Sequence, residues 1–183
     1  MNTGQAMMVI AAMMLLSTFA LTVNNPLVLS SSTGLEMEAS LDALSYGHSL
    51  VDEILQTNFD EATIGTRIFN TADLSTTMGR ETGEPFTLPD SSGSDVFLSR
   101  TRYDDVDDYN GYRRIVRNPR LDDFTLTVQV QYISEDSPFG VSGSKTFCKK
   151  VQVTVTNPYM PKDQHGVVSP LTLSDMSVYR RYF

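Results

Sequence analysis

Cysteine is almost absent from this sequence. Cys148 stands alone, so no internal disulfide can form and no cysteine-rich zinc site can be built. Histidine is nearly as scarce, with His48 and His165 far apart in the chain. Basic residues are few and come late: 14 Lys and Arg stand against 22 Asp and Glu, for a net charge of −8, and the first of them is Arg67. A chain so short of cations is poorly equipped to neutralise phosphates, and no nucleic-acid partner is expected. Catalytic signatures are missing as well. There is no G-x-S-x-G, no H-E-x-x-H, no Cys–His pair and no glycine-rich phosphate loop after a strand, so no enzyme is expected.

What the chain does have is a long apolar run at its start. Ala6–Val23 carries no charge over 18 residues. As a helix it spans about 27 Å, close to the roughly 30 Å thickness of bilayer hydrocarbon. Its hydroxyls, Ser17, Thr18 and Thr22, can bond back to carbonyls one turn earlier. A cleaved secretory signal normally has a basic leader and a small-x-small cleavage site. "MNTGQ" has no basic residue and "FALTVNN" offers no such site, which favours retention of the run. Pro26 then removes an amide donor and predicts local loosening of the helix around Val23–Pro26. Beyond it, Met37, Leu41, Leu44, His48, Val51 and Leu55 recur at steps of three and four. That period predicts an amphipathic helix up to about Gln56, with these residues on its buried stripe and His48 packed and hydrogen-bonded.

Further on, Phe124, Leu126, Val128, Val130 and Tyr132 alternate with polar residues, and Val151, Val153 and Val155 do the same within "TFCKKVQVTVT". Period two marks both as half-buried strands, which pair as an antiparallel hairpin around the loop "SEDSPFGVSGSK". Cys148 reads as a half-buried small side chain in the second strand. Leu171–Tyr182 predicts a final strand at the sheet edge. "ATIGTRIF" and "DVFLSRTRY" predict short strands on either side of the exposed loop "MGRETGEPFTLPDSSGSD".

The leader "MNTG", the uninterrupted apolar helix, the proline and the amphipathic helix together resemble the class III signal and stalk of type IV pilins and type II secretion pseudopilins. "SLVDEILQTNFDE" and "YDDVDDYNGY" resemble stretches of the minor and pseudopilin kind. The resemblance implies an α+β, pilin-like fold: a long N-terminal helix, apolar then amphipathic, packed on a C-terminal antiparallel sheet. Its parts would be a leader (1–4), an apolar helix (5–26), an amphipathic helix (27–60) and a β-domain (61–183). Cleavage after Gly4 would make Gln5 the first mature residue. Pro26 would then be the twenty-second, where many pilins carry a helix-loosening proline. The family's usual Glu at the fifth mature position is here Val9. The filament-core helix would be built from Ala6, Met7, Met8, Val9, Ile10, Ala11, Ala12, Met13, Met14, Leu15, Leu16, Phe19 and Leu21. The implied function is structural: a subunit of a type IV pilus-like or pseudopilus filament that polymerises through this helix. Its partners would be copies of itself, other pilin-like subunits and an assembly platform. It would reside in a bacterial inner membrane before assembly and in a surface or periplasmic filament afterwards. The alternatives are a minor, initiating pseudopilin and a monomeric, single-pass envelope protein with a binding β-domain.

One stretch invites a metal. Asp104, Asp105, Asp107, Asp108 and Asn110 fall within seven residues, and clustered carboxylates can hold calcium. EF-hand spacing does not fit, because counting back from Gly111 puts Val106 at the first ligand position. The simpler expectation is a solvated acidic turn compensated by Arg100, Arg102, Arg113 and Arg114. The terminal "VYRRYF" reads as a capped strand end with exposed arginines, or as a contact for the acidic face of a neighbouring subunit.

Overall fold

Strict alternation over Phe124–Ser134 and Cys148–Thr156 builds the two central strands of an antiparallel sheet. The computed structural model describes residues 2–80 and 103–180, with the side chains of 23–29 and 138–139 not described. Five strands are β1 (Arg113–Val116), β2 (Phe124–Ser134), β3 (Ser137–Val141), β4 (Cys148–Thr156) and β5 (Leu171–Val178). The order across the sheet is β1-β2-β4-β5, with β3 paired to the end of β2. The β2–β4 register sets Val128 opposite Val153 and Val130 opposite Val151, so the valines stack on one buried face while Gln129 and Gln152 share the other. The expected hairpin is therefore present. Its loop is shorter than expected, because Ser137–Val141 folds back on β2 as β3.

One helix, α1, runs Thr3–Leu55 and carries through Pro26 without a break, where local loosening was expected. The chain divides into two compact units, residues 1–38 and 39–183, so the division falls twelve residues beyond Pro26. In the first unit, residues 3–22 form an apolar helix long enough to cross a membrane, none of it buried.

In the second unit the remainder of α1 lies on the sheet, but only in part by the stripe that periodicity picked out: Val51 is buried and Leu55 half-buried. Ala39, Ala43, Leu50 and Ile54 are fully buried, whereas Met37 and Leu41 are more than 60% exposed and His48 faces out. Close approach explains the choice. A Cβ on Gly47 would lie 2.5 Å from Leu173 Cδ1 and 3.3 Å from Val155 Cγ2, so only small side chains fit where the helix crosses β4 and β5. Tyr46 meets Phe124 edge-on at 5.2 Å, and Asn118 donates to Asp42 at 2.8 Å.

Three further expectations change. "ATIGTRIF" forms no strand. Asp60 caps a 3₁₀ turn at Glu61–Thr63 through a reciprocal bond with Thr63, and a polar cap and turn replace the extended run. β5 ends at Val178, and Tyr179 continues instead into a small aromatic cluster with Phe59 and Phe147. β1 was not anticipated; Gly111, at φ 79, turns the chain into it in a conformation glycine adopts without steric cost. "DVFLSRTRY" up to Arg102 and most of the loop before it lie outside the described residues.

Candidate functional site

Two features stand out, and each arises from a conflict between side chains and their surroundings. The first is the apolar helix of the N-terminal unit. Met7, Met8, Val9, Ile10, Met13, Met14, Leu15, Leu16, Phe19 and Leu21 are each at least half exposed. At about 1.5–3 kcal/mol per large apolar side chain, leaving all ten in water costs on the order of 15–30 kcal/mol. That exceeds the whole net stability of an ordinary domain. These side chains need lipid or protein around them. The few hydroxyls on the helix raise no objection to lipid. Ser17 donates to the Met13 carbonyl at 2.8 Å, Thr18 to Leu15 at 3.0 Å and Thr22 to Thr18 at 2.9 Å, as the sequence predicts. Ala6, Ala11, Ala12 and Ala20 leave room between the large residues for another helix to approach.

The second feature is a buried ion cluster in the C-terminal unit. Lys149 occupies the inward register of β4, in line with Val151 and Val153, and is wholly buried. A lysine there must find acceptors. Just past α1, Asn58 pairs with Asp105 in a single parallel bridge: its amide donates to the Asp104 carbonyl at 2.9 Å and its carbonyl accepts from Val106 at 3.0 Å. This bridge brings Asp60 and Asp107 to the same point under β4. The Lys149 Nζ donates to the Phe59 carbonyl at 2.7 Å, to Asp107 Oδ1 at 2.6 Å and to Asp60 Oδ2 at 3.2 Å. The Phe59 and Tyr132 rings lie 4.5 and 5.3 Å from the ammonium, a favourable placement for a cation.

The carboxyls around it behave differently from one another. Asp60 is fully buried, and burial alone would raise its pKa. The Ser75 amide at 2.8 Å and the Lys149 ammonium outweigh that and hold Asp60 below the usual carboxylate range. Among the described residues no cation is paired with Asp105. Burial and the charges of Asp107 and Asp108 push its pKa up to about 9, so it keeps its proton at neutral pH. Its Oδ1 accepts from the Asp107 and Asp108 amides at 2.9 and 3.1 Å, closing the turn. As carboxylates, Asp105 Oδ2 and Asp107 Oδ2 would both be buried without a donor. A proton on Asp105 turns its contact with Asp107 from repulsion into a hydrogen bond.

Of the five residues weighed for calcium, the fold brings Asp105, Asp107 and Asp108 into this cluster. Asp104 stays exposed, and the Asn110 side-chain oxygen accepts from the Val130 amide at 3.1 Å. Among the described residues no group of three or more His, Cys, Asp or Glu is arranged to hold a metal ion. Of Asp105, Asp107 and Asp108, it is Asp107 that contacts the Lys149 ammonium. The turn is accordingly not a solvated one, since three of its four aspartates are buried. Of the arginines expected to compensate it, Arg114 forks onto Glu53 of α1, with bonds of 2.7 and 3.0 Å, and Arg100 and Arg102 lie outside the described residues.

No family model, curated protein or solved structure matches the chain. Its function has to be argued from the two features themselves.

Beside the Glu53–Arg114 pair, Tyr103, Tyr109 and Tyr112 form an edge-to-face triangle with centroids 5.1–5.8 Å apart. Tyr109 donates to Glu53 at 3.2 Å. Tyr103 and Tyr109 also line an open groove of about 760 Å³ with His48, Asp52 and Glu53, which is where the expected core position of His48 turns out to face. Cys148 is half-buried. Gly4 lies within α1, and Gln5 donates its amide to the Asn2 carbonyl at 2.9 Å in the first turn.

Sequence reasoning missed Lys149, Asp60 and Glu53. For Lys149 the signal was available in its register. For Asp60 and Glu53 it was not, because their partners lie far along the chain.

Proposed function

We propose that this chain is the structural subunit of a type IV pilus-like or pseudopilus filament, polymerising through the helix of residues 3–22. The observation that carries the reading is that helix: apolar on every side, with none of it buried, and followed by a folded α+β domain with its own core. As a monomer the helix is soluble in the bilayer. On assembly, helix–helix contact replaces helix–lipid contact. Because lipid is as apolar as leucine, packing has to supply the preference. The alanines allow close approach, and Met7, Met8, Met13 and Met14 adapt to irregular gaps. A repeating contact that does not close on itself gives a helical polymer. Cleavage after Gly4, other pilin-like partners, an assembly platform, and passage from the inner membrane to the cell surface or periplasm belong to the same proposal.

A minor, initiating subunit would use the same helix. A monomeric envelope protein is the second reading, and the length of the apolar helix supports it, since about 30 Å suffices for a simple anchor. Deleting residues 1–26 separates the classes. A filament subunit loses all polymer in sheared-surface and membrane fractions, whereas an anchored binding domain, once released, keeps its ligand. Mass spectrometry of the native N-terminus tests the processing: loss of Met1–Gly4 with a methylated Gln5 supports the pilin-like route, and an intact Met1 counts against it.

A further inference from the structure

We propose that Lys149 and Asp107 condense into an intramolecular amide, a covalent cross-link between β4 and the turn before β1. The two side chains meet at 2.6 Å, with 0% and 1% exposure, so no bulk water competes for the carboxyl carbon. The rings of Phe59 and Tyr132 close over the nitrogen. Asp60 also touches the ammonium, at 3.2 Å, but it is the poorer acceptor of a nucleophile. Both of its oxygens already carry donors, from Ala62, Ser75 and Tyr132, and it is held as a carboxylate. Asp107 instead has one oxygen without a donor as a carboxylate, and its neighbour Asp105 is a carboxylic acid hydrogen-bonded to it. The cluster thus holds a nucleophile, a base, an electrophile and an acid in one dry space.

The step balances without any co-reactant. The Lys149 ammonium passes one proton to Asp60. The free amine adds to Cγ of Asp107, forming the C–N bond. Asp105 protonates one Asp107 oxygen, and that oxygen takes a second proton from the nitrogen and departs as water, breaking the C–O bond. One water is lost, nothing is oxidised or reduced, and return of the proton from Asp60 to Asp105 leaves both groups in their starting forms. In a chain with a single cysteine, Cys148, this is a covalent brace that needs no disulfide. It does not depend on whether the chain polymerises.

The test is mass spectrometry of the full-length chain purified from membranes, with the N-terminus read in the same digest. The expected result is a mass one water below that of the sequence, and a branched peptide joining Lys149 to Asp107. Lys149→Arg and Asp107→Ala return the full mass. Asp105→Asn, which keeps the oxygen that accepts from the Asp107 and Asp108 amides, returns the full mass with unchanged circular dichroism. A wild-type chain at full mass with no branched peptide overturns the proposal and leaves Lys149 an ion-pair partner only. A branch mapped to Asp60 overturns the choice of Asp107, and an Asp105→Asn chain that still lacks one water overturns the part given to Asp105.

Discussion

Gly47 of α1 and Leu173 of β5 meet so closely that a single added carbon at Gly47 would stand 2.5 Å from the leucine Cδ1. The glycine is therefore a packing residue, although glycine in a helix interior costs roughly 1 kcal/mol relative to alanine. Gly47→Leu should lower the thermal midpoint of the detergent-solubilised chain by the equivalent of at least about 2 kcal/mol, an overpacking cost. Gly47→Ala should stay within about 1 kcal/mol of wild type, because helix propensity offsets a clash that Leu173 can relieve by rotation. A Gly47→Leu chain that melts with the wild type would show that α1 does not lie on the sheet at this point.

Arg114 and Glu53 form a two-pronged ion pair with side chains only 12% and 11% exposed, and Arg114 Nε also donates to Tyr112 at 3.2 Å. Lysine carries the charge but not the fork. Arg114→Lys should cost about 1–2 kcal/mol in denaturant unfolding. Arg114→Met should cost more, on the order of 3 kcal/mol, because it removes the guanidinium from a largely buried Glu53 carboxylate. Equal losses for the two variants would mean that charge and geometry play no separate parts here.

How far the fold was legible turns on what each pattern encodes. The alternation of Phe124–Tyr132 and Val151–Val155 depends only on which face is buried, so β2 and β4 could be read directly. β1, Arg-Arg-Ile-Val, is too short to alternate. The second half of α1 was recognisable as a helix from its period, and Val51 does lie on the buried side, but size wrongly favoured Met37 and Leu41. Met37 and Leu41 are larger than Ala39 and Ala43, yet around Gly47 the sheet comes too near for large residues, and that proximity is a tertiary fact. The ion cluster was half legible. Lys149 shares its register with Val151, and a cation in an inward register implies carboxylates beneath it. Which carboxylates could not be known, because the Asn58–Asp105 bridge that delivers Asp60 and Asp107 joins segments far apart in sequence.

Tyr109 gives the protein an alkaline limit. Burial first, and the neighbouring Glu53 carboxylate second, raise its pKa above the ordinary tyrosine value near 10. A group whose folded pKa is raised contributes stability that is fully present below the unfolded pKa and is lost as pH climbs from there through the folded pKa. Stability should therefore be flat in this respect up to about pH 10 and then decline. Glu53→Gln removes the charge that opposes the phenolate, so Tyr109 should ionise at lower pH, seen as an earlier phenolate absorbance. An unchanged titration in Glu53→Gln would mean that burial alone sets the Tyr109 value.

Membrane anchoring and filament assembly make different demands on Ala12. A bilayer accepts any apolar side chain there, whereas a neighbouring helix in a packed core needs the space that alanine leaves. Ala12→Phe increases hydrophobicity and so should leave the chain in the membrane fraction at wild-type level. If residues 3–22 pack against copies of themselves, the same change should cut the sheared-filament yield by roughly tenfold, since a loss of about 1.4 kcal/mol per contact is enough for that. Ala12→Gly, smaller still, should keep the filaments. Full filament yield from Ala12→Phe would place Ala12 away from any helix–helix contact. Loss of the chain from the membrane would mean that lipid, rather than a neighbouring subunit, selects the residue at this position.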